Sequence, residues 1–138
     1  MTDAIKPVYG FEDTSFLAAG GVNGIKKLVE DFYRIMDELP EATAIRKMHP
    51  DNLEVSVDKL ARFLSGWLGG PKLYNERYGA ISIPAAHEHL VIHEHERDSW
   101  LLCMHQAIAL QLYSPDFAEY LLLQLRVPAE RIFQTSKK

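Results

Sequence analysis

At 138 residues, 47% of them hydrophobic, the chain has enough apolar side chain to bury a core and too much to stay disordered. Its formal net charge of −4 and pI near 5.8 exclude the basic face that neutralising phosphates requires, so nucleic acid is not an expected partner. No apolar run approaches the roughly 18 residues of a bilayer span, the N-terminus lacks a signal pattern, and a lone Cys103 allows neither an internal disulfide nor a Cys-rich zinc site.

A soluble, cytoplasmic protein off the membrane is therefore expected, with residues 1–12 as an extension ahead of one domain over 13–138. DTSFLAAGG offers an N-cap at Asp13 or Thr14, a short apolar turn and a Gly20-Gly21 stop. From Val22 to Leu39, apolar residues at Val22, Ile25, Leu28, Val29, Phe32, Ile35, Met36 and Leu39 recur at three- and four-residue steps, which predicts an amphipathic helix. Pro40 ends it, and a shorter helical piece over Ala42–Met48 precedes the His49-Pro50 break. A third helix carries Leu53, Ser56, Leu60, Phe63, Leu64, Trp67 and Leu68 on a broad stripe and stops at Gly69-Gly70-Pro71. Between Lys72 and Ile83 the periodicity disappears, although Tyr74 and Tyr78 can still pack.

Pro84 opens a short helix over Ala85–Leu90. A longer one runs from about His95 to Tyr113, with Trp100, Leu101, Met104, Ala107, Ile108 and Leu112 on it. Ser114-Pro115-Asp116 restarts the chain for a last helix through Leu125, which Val127-Pro128 is expected to break before one more turn over Ala129–Phe133. No strand pattern, internal repeat or low-complexity segment appears, so the predicted fold is all-α.

Five of the six histidines crowd into AAHEHLVIHEHERDSWLLCMH, Ala85 to His105. On a continuous helix His89, His93 and Glu96 would share a face and offer a zinc or non-haem iron site. The simpler reading of His89, His93 and His95, among Glu88, Glu94, Glu96 and Arg97, is a solvated surface. His87 differs, because it follows two alanines that leave room for a flat ligand and precedes Leu90, Val91 and Ile92. Tyr33 on the apolar helix and Trp100 in a mainly apolar run each bring a polar tip that needs a partner when buried. Three such tips converging suggest a lined cavity; the alternative is an ordinary core with both groups bonded to backbone.

Four motifs sharpen the choice: AAGG ahead of the first long helix, DFY at Asp31–Tyr33, GWLGGPKLY at Gly66–Tyr74, and a histidine thirteen positions ahead of the tryptophan in ERDSWLLCMHQAI. Together they resemble the group II truncated haemoglobins, short globins with a two-over-two helical sandwich, over roughly Thr14 to Leu125. The resemblance implies haem b, with His87 as the proximal iron ligand and its second ring nitrogen donating to a backbone carbonyl. It implies distal roles for Tyr33 and Trp100, and for His49 at the corner between helices. Ser56 departs from the histidine or glutamine common in globins, and its short hydroxyl leaves the distal contacts to those three. Leu60 is expected over the iron, Phe63, Leu64 and Trp67 along the haem face, and Leu90 under the ring beside His87. Lys59, Lys72 and Tyr74 match positions that meet the haem propionates.

The resemblance further implies binding of O2, NO and CO. A phenol and an indole aimed at a partly anionic ligand grip it too firmly for an oxygen carrier. Detoxification fits better, as NO dioxygenase-like or peroxidase-like chemistry fed by an unknown reductase, by a monomer or dimer. Two other readings stand beside it. One is a sensor or electron-transfer protein whose iron is capped by His49 or Tyr33. The other is a haem-free, His-rich zinc-binding helical domain.

Overall fold

The computed structural model describes residues 8–136. Eight α-helices follow one another among these residues, with no strand: α1 (Thr14–Ala18), α2 (Gly21–Glu38), α3 (Thr43–Lys47), α4 (Glu54–Trp67), α5 (Leu73–Tyr78), α6 (Ile83–His87), α7 (Glu94–Ala109) and α8 (Pro115–Thr135). A 3-10 turn over Pro40–Ala42 links α2 to α3. No helix among the described residues is long and apolar enough to cross a membrane.

The helical periodicity of α2 decides where the core sits. Ile25, Leu28, Val29, Phe32, Tyr33, Ile35 and Met36 lie on one broad face, and all are buried. Burying each of the larger side chains contributes about 1.5–3 kcal/mol relative to exposure. That face packs against α4 on one side and α7 on the other, and α7 packs in turn on α8. Met104, Cys103, Ala107 and Ile108 from α7 and Phe117, Leu121 and Leu125 from α8 complete the cluster. The result is the expected two-over-two arrangement, α2 and α4 over α7 and α8.

The glycine stop after α4 ties the entry of the chain to the middle of it. Gly69 has φ +93°, and a Cβ there would collide with the Glu12 carbonyl. A Cβ on Gly70 would strike the Phe16 ring. With both absent, the Phe16 N–H reaches the Leu68 carbonyl at 3.0 Å and α1 lies directly on the end of α4. The first seven residues of the expected extension lie outside the described residues. Of the rest, Tyr9 is docked, its ring 5.1 Å from both Phe117 and Tyr120.

Three local expectations need correction, the first at α7, which ends at Ala109 rather than near Tyr113 and leaves Leu112 exposed beyond it. The aperiodic stretch after Gly70 contains α5, six residues long. It is held by its aromatic rings rather than by a buried stripe. The Val127-Pro128 step does not break the last helix, which runs through to Thr135. Pro128 lacks an N–H, so only the carbonyl of Gln124 loses its helical partner. Gln124 is exposed, where water serves that oxygen, while Leu125 and Ala129 stay anchored in the core on either side.

Candidate functional site

Helix α4 is built unlike α2. Ser56, Leu60, Phe63 and Trp67 recur at i, i+4, i+7 and i+11 and share one stripe, yet all four are only half-buried. The protein seals just Leu64 and Ser65 of this helix. Such an apolar stripe left partly uncovered marks a cleft wall. Phe63 stacks on Trp67 at 6.4 Å and meets Tyr74 edge-on at 6.5 Å, which extends the wall onto α5.

His87 ends α6, and Pro84 at the helix start fixes the entry of that short element. Its Nδ1 lies 2.7 Å from the Ile83 carbonyl. A carbonyl only accepts, so Nδ1 carries the proton and the neutral ring keeps its lone pair on Nε2. The loop after His87 is held from below by the end of α8. Ser136 Oγ donates to the Leu90 carbonyl at 3.0 Å and accepts from the Ile92 N–H at 2.7 Å.

His49, after α3, repeats this arrangement, with Nδ1 2.8 Å from the Ile45 carbonyl and Nε2 left over. Burial holds its imidazole below the usual histidine range. The charges of Arg46 and His87 push the same way, against the raising effect of the bond to Ile45. The two histidines thus lie within electrostatic reach of each other. The Tyr33 ring stands edge-on to His49 at 5.5 Å. Phe32, between them in the packing, is 5.0 Å from Tyr33 and 5.3 Å from Trp100. Tyr33, His49 and Trp100 are therefore gathered around one aromatic hinge.

Neither the Tyr33 hydroxyl nor the Trp100 N–H has a hydrogen-bond partner among the described residues. Yet no fully sealed side-chain nitrogen or oxygen there is unpartnered. Both donors consequently open onto free space rather than onto packed core. Burial pushes the Tyr33 phenol well above the usual tyrosine range, which keeps it a protonated donor.

The remaining expected residues divide. Leu60, Phe63, Trp67, Tyr74 and Leu90 are half-buried, whereas Leu64 is sealed in the core at 1% exposure. Lys59 and Lys72 are exposed, and the Lys59 ammonium sits 5.3 Å over the Tyr78 ring. The second histidine group is not brought together. His89 lies in the turn after α6 and His93 caps α7, its N–H donating to Glu96 at 3.0 Å, so no continuous helix gives them a common face. No cluster of three or more His, Cys, Asp or Glu suited to a metal occurs among the described residues. A hollow of about 590 Å³ between α7 and α8, lined by Arg97, Leu101, His105 and Arg126 among others, includes none of the expected residues. Its carboxylates Asp98 and Glu130 are already bonded to Arg97. Sequence reasoning missed Asp58, which takes the Tyr78 hydroxyl and the Arg62 side chain.

The sequence model of the Bacterial-like globin family matches residues 14–127. The chain belongs to that family. More narrowly it is a group II truncated haemoglobin, as its relatives show. It is 29% identical to the group 2 truncated haemoglobin YjbI of Bacillus subtilis over 108 residues, 78% of this chain and 80% of that one. The cold-adapted truncated haemoglobin of Pseudoalteromonas haloplanktis TAC125 superposes with a TM-score of 0.82 at 30% identity, covering 86% of this chain and 95% of that one. The group II 2-on-2 haemoglobin of Agrobacterium tumefaciens gives 0.81 at 30% identity, covering 99% and 98%.

A truncated haemoglobin implies haem, and this chain's groups fit one. It offers a histidine whose Nδ1–H is held by a carbonyl, an uncovered apolar wall, and two unsatisfied donors that open on space.

Proposed function

We propose that the cleft holds haem b, with His87 Nε2 as the iron ligand, and that the protein binds O2 and other small diatomic ligands firmly for the removal of nitric oxide or reactive oxygen and nitrogen species. The observation that carries this reading is the fixed tautomer of His87, whose Nδ1 bond to Ile83 aims the free nitrogen away from the backbone. When bound, haem iron supplies reversible ligand binding and one-electron redox chemistry.

The chain's own residues do the rest. The Nδ1–H bond to a carbonyl raises the basicity of His87 and stops its ring from turning. Leu60, Phe63, Trp67 and Leu90 cover apolar faces and exclude water, with Leu64 bracing the wall from inside. Lys59, Lys72 and Tyr74 provide charge and a donor for carboxylates at the cleft edge. Tyr33 and Trp100 present an O–H and an N–H to a ligand that gains negative charge, each worth about 1–3 kcal/mol to a charged acceptor. Ser56 is too short to share this work. A ligand held so firmly suits turnover with an external reductase better than carriage.

The same geometry favours a second reading. His49 also carries its proton on Nδ1 and keeps Nε2 free, half-buried beside Tyr33. It can therefore cap the iron from the distal side, making the protein a sensor or electron carrier. Optical spectra of the purified protein, loaded with hemin and taken in ferric, ferrous and oxygenated forms, test both. A Soret band with a stable oxygenated spectrum supports tight oxygen binding, and a low-spin ferric spectrum lost in His49→Ala supports the capped form. A chain that stays colourless with hemin overturns both.

A further inference from the structure

The bond between Tyr78 and Asp58 involves none of the residues assigned above to the haem or its ligand. Tyr78 ends α5, and its hydroxyl donates to Asp58 Oδ2 on α4 at 2.5 Å, across twenty residues of chain. Asp58 also accepts from Arg62 at 2.9 and 3.0 Å and lies 3.6 Å from Arg77. Inward, the Tyr78 ring is 5.0 Å from that of Tyr74, which in turn meets Phe63 on the cleft wall at 6.5 Å. Outward, the Lys59 ammonium lies 5.3 Å and the Arg77 guanidinium 5.7 Å over the Tyr78 ring. An oxidisable pair of phenols thus runs from the wall to a half-buried position beside exposed cations.

The cations decide how such a phenol can be oxidised. They are attracted to the neutral ring, but a ring that has lost an electron is positive and is repelled by both. The electron can leave at low cost only if the phenolic proton leaves with it. Asp58 is already the acceptor of that proton's hydrogen bond, and that bond, with Arg62 and Arg77 beside it, holds its carboxyl ionised below the usual carboxylate range.

We propose that Tyr78 is a surface oxidation site, fed through Tyr74 from the haem cleft and serving one-electron donors too large to enter it, such as phenols. The proposal rests on the haem reading above, with hydrogen peroxide as the oxidant. Peroxide takes two electrons and two protons and leaves as two water molecules. Each electron is drawn from Tyr78, whose O–H bond breaks as its proton passes to the Asp58 carboxylate, leaving a neutral tyrosyl radical. A phenol then gives a hydrogen atom to that radical, restoring Tyr78, and Asp58 returns its proton to solvent. Two such cycles convert one peroxide and two phenols into two waters and two phenoxyl radicals.

The experiment treats the hemin-loaded protein with hydrogen peroxide and a nitroso spin trap, then maps adducts by peptide mass spectrometry. The expected adduct is on Tyr78. Tyr78→Phe should lose it and oxidise a bulky phenol about tenfold more slowly, with the Soret band unchanged. Asp58→Asn keeps an oxygen acceptor for the hydroxyl but not a base, so the Tyr78 adduct should fall there too, which a merely structural bond would not produce. Peroxide consumption with no adduct on Tyr78, or a Tyr78→Phe protein that oxidises the phenol at the wild-type rate, overturns the proposal. Wild-type protein with neither Soret band nor peroxide consumption overturns the haem reading and this proposal together.

Discussion

His49 and His87 are oriented by the same device, each Nδ1 set against the carbonyl four residues earlier, Ile45 at 2.8 Å and Ile83 at 2.7 Å. Two imidazoles within electrostatic reach of each other therefore keep the same nitrogen free. Their difference lies in placement: His87 ends a helix beside half-buried Leu90, while His49 stands in the aromatic group of Tyr33.

If His87 is the iron ligand, His87→Ala should yield protein unable to hold haem in a five-coordinate ferrous state. His93→Ala, at the cap of α7, should leave the spectrum unchanged and cost at most about 2 kcal/mol of stability. Comparing the ferrous spectra of the two variants checks the assignment, and equal loss of haem in both would refute it.

Burial lowers the proton affinity of His49 in the folded chain relative to its ordinary value of 6.5. The unfolded chain then binds more protons just below that pH. Stability should accordingly fall as pH drops through 6.5 toward the folded-state value, and stay level above it. Arg46 and His87 are the other charged groups acting on this ring. Urea melts across this pH range should show the slope, and His49→Gln should flatten it.

Trp100→Phe removes the unpartnered indole N–H while keeping a ring against Phe32. Oxygen dissociation should quicken roughly tenfold, about 1.4 kcal/mol of lost hydrogen bonding. Stopped-flow displacement by CO reads this directly. An unchanged off-rate would mean that the indole donates elsewhere.

Pro128 sits inside α8 with Leu125 and Ala129 buried on either side of it. Pro128→Ala restores an N–H to the Gln124 carbonyl without moving the helix, so stability should rise by about 1–3 kcal/mol. A higher urea midpoint at constant slope would show it. A fall would mean that the proline ring itself fills space the alanine cannot.

How far the sequence could be read depended on what held each part. α2 and α4 were visible because apolar periodicity survives in one dimension, whereas α7 has no such stripe and was legible from its apolar content alone. α5 was not, since its hold is Tyr78 reaching Asp58 twenty residues away and Tyr74 reaching Phe63. Pro128 misled because a proline rule weighs only local cost, and Leu125 and Ala129 supply the packing that outweighs it. The spacing of His89, His93 and Glu96 assumed one helix, but the backbone turns between the two histidines. The motifs singled out His87, Tyr33 and Trp100, but the proton position on His49 and His87 needed the carbonyls of Ile45 and Ile83 in place.

Ser136 has a use beyond finishing its helix. Its one hydroxyl grips Leu90 and Ile92, so shortening the chain ahead of it should leave the apolar interior intact and slacken the segment that steadies residue 87. Trimmed proteins would then melt normally yet lose their pigment faster, a warning for anyone choosing where to place a C-terminal tag.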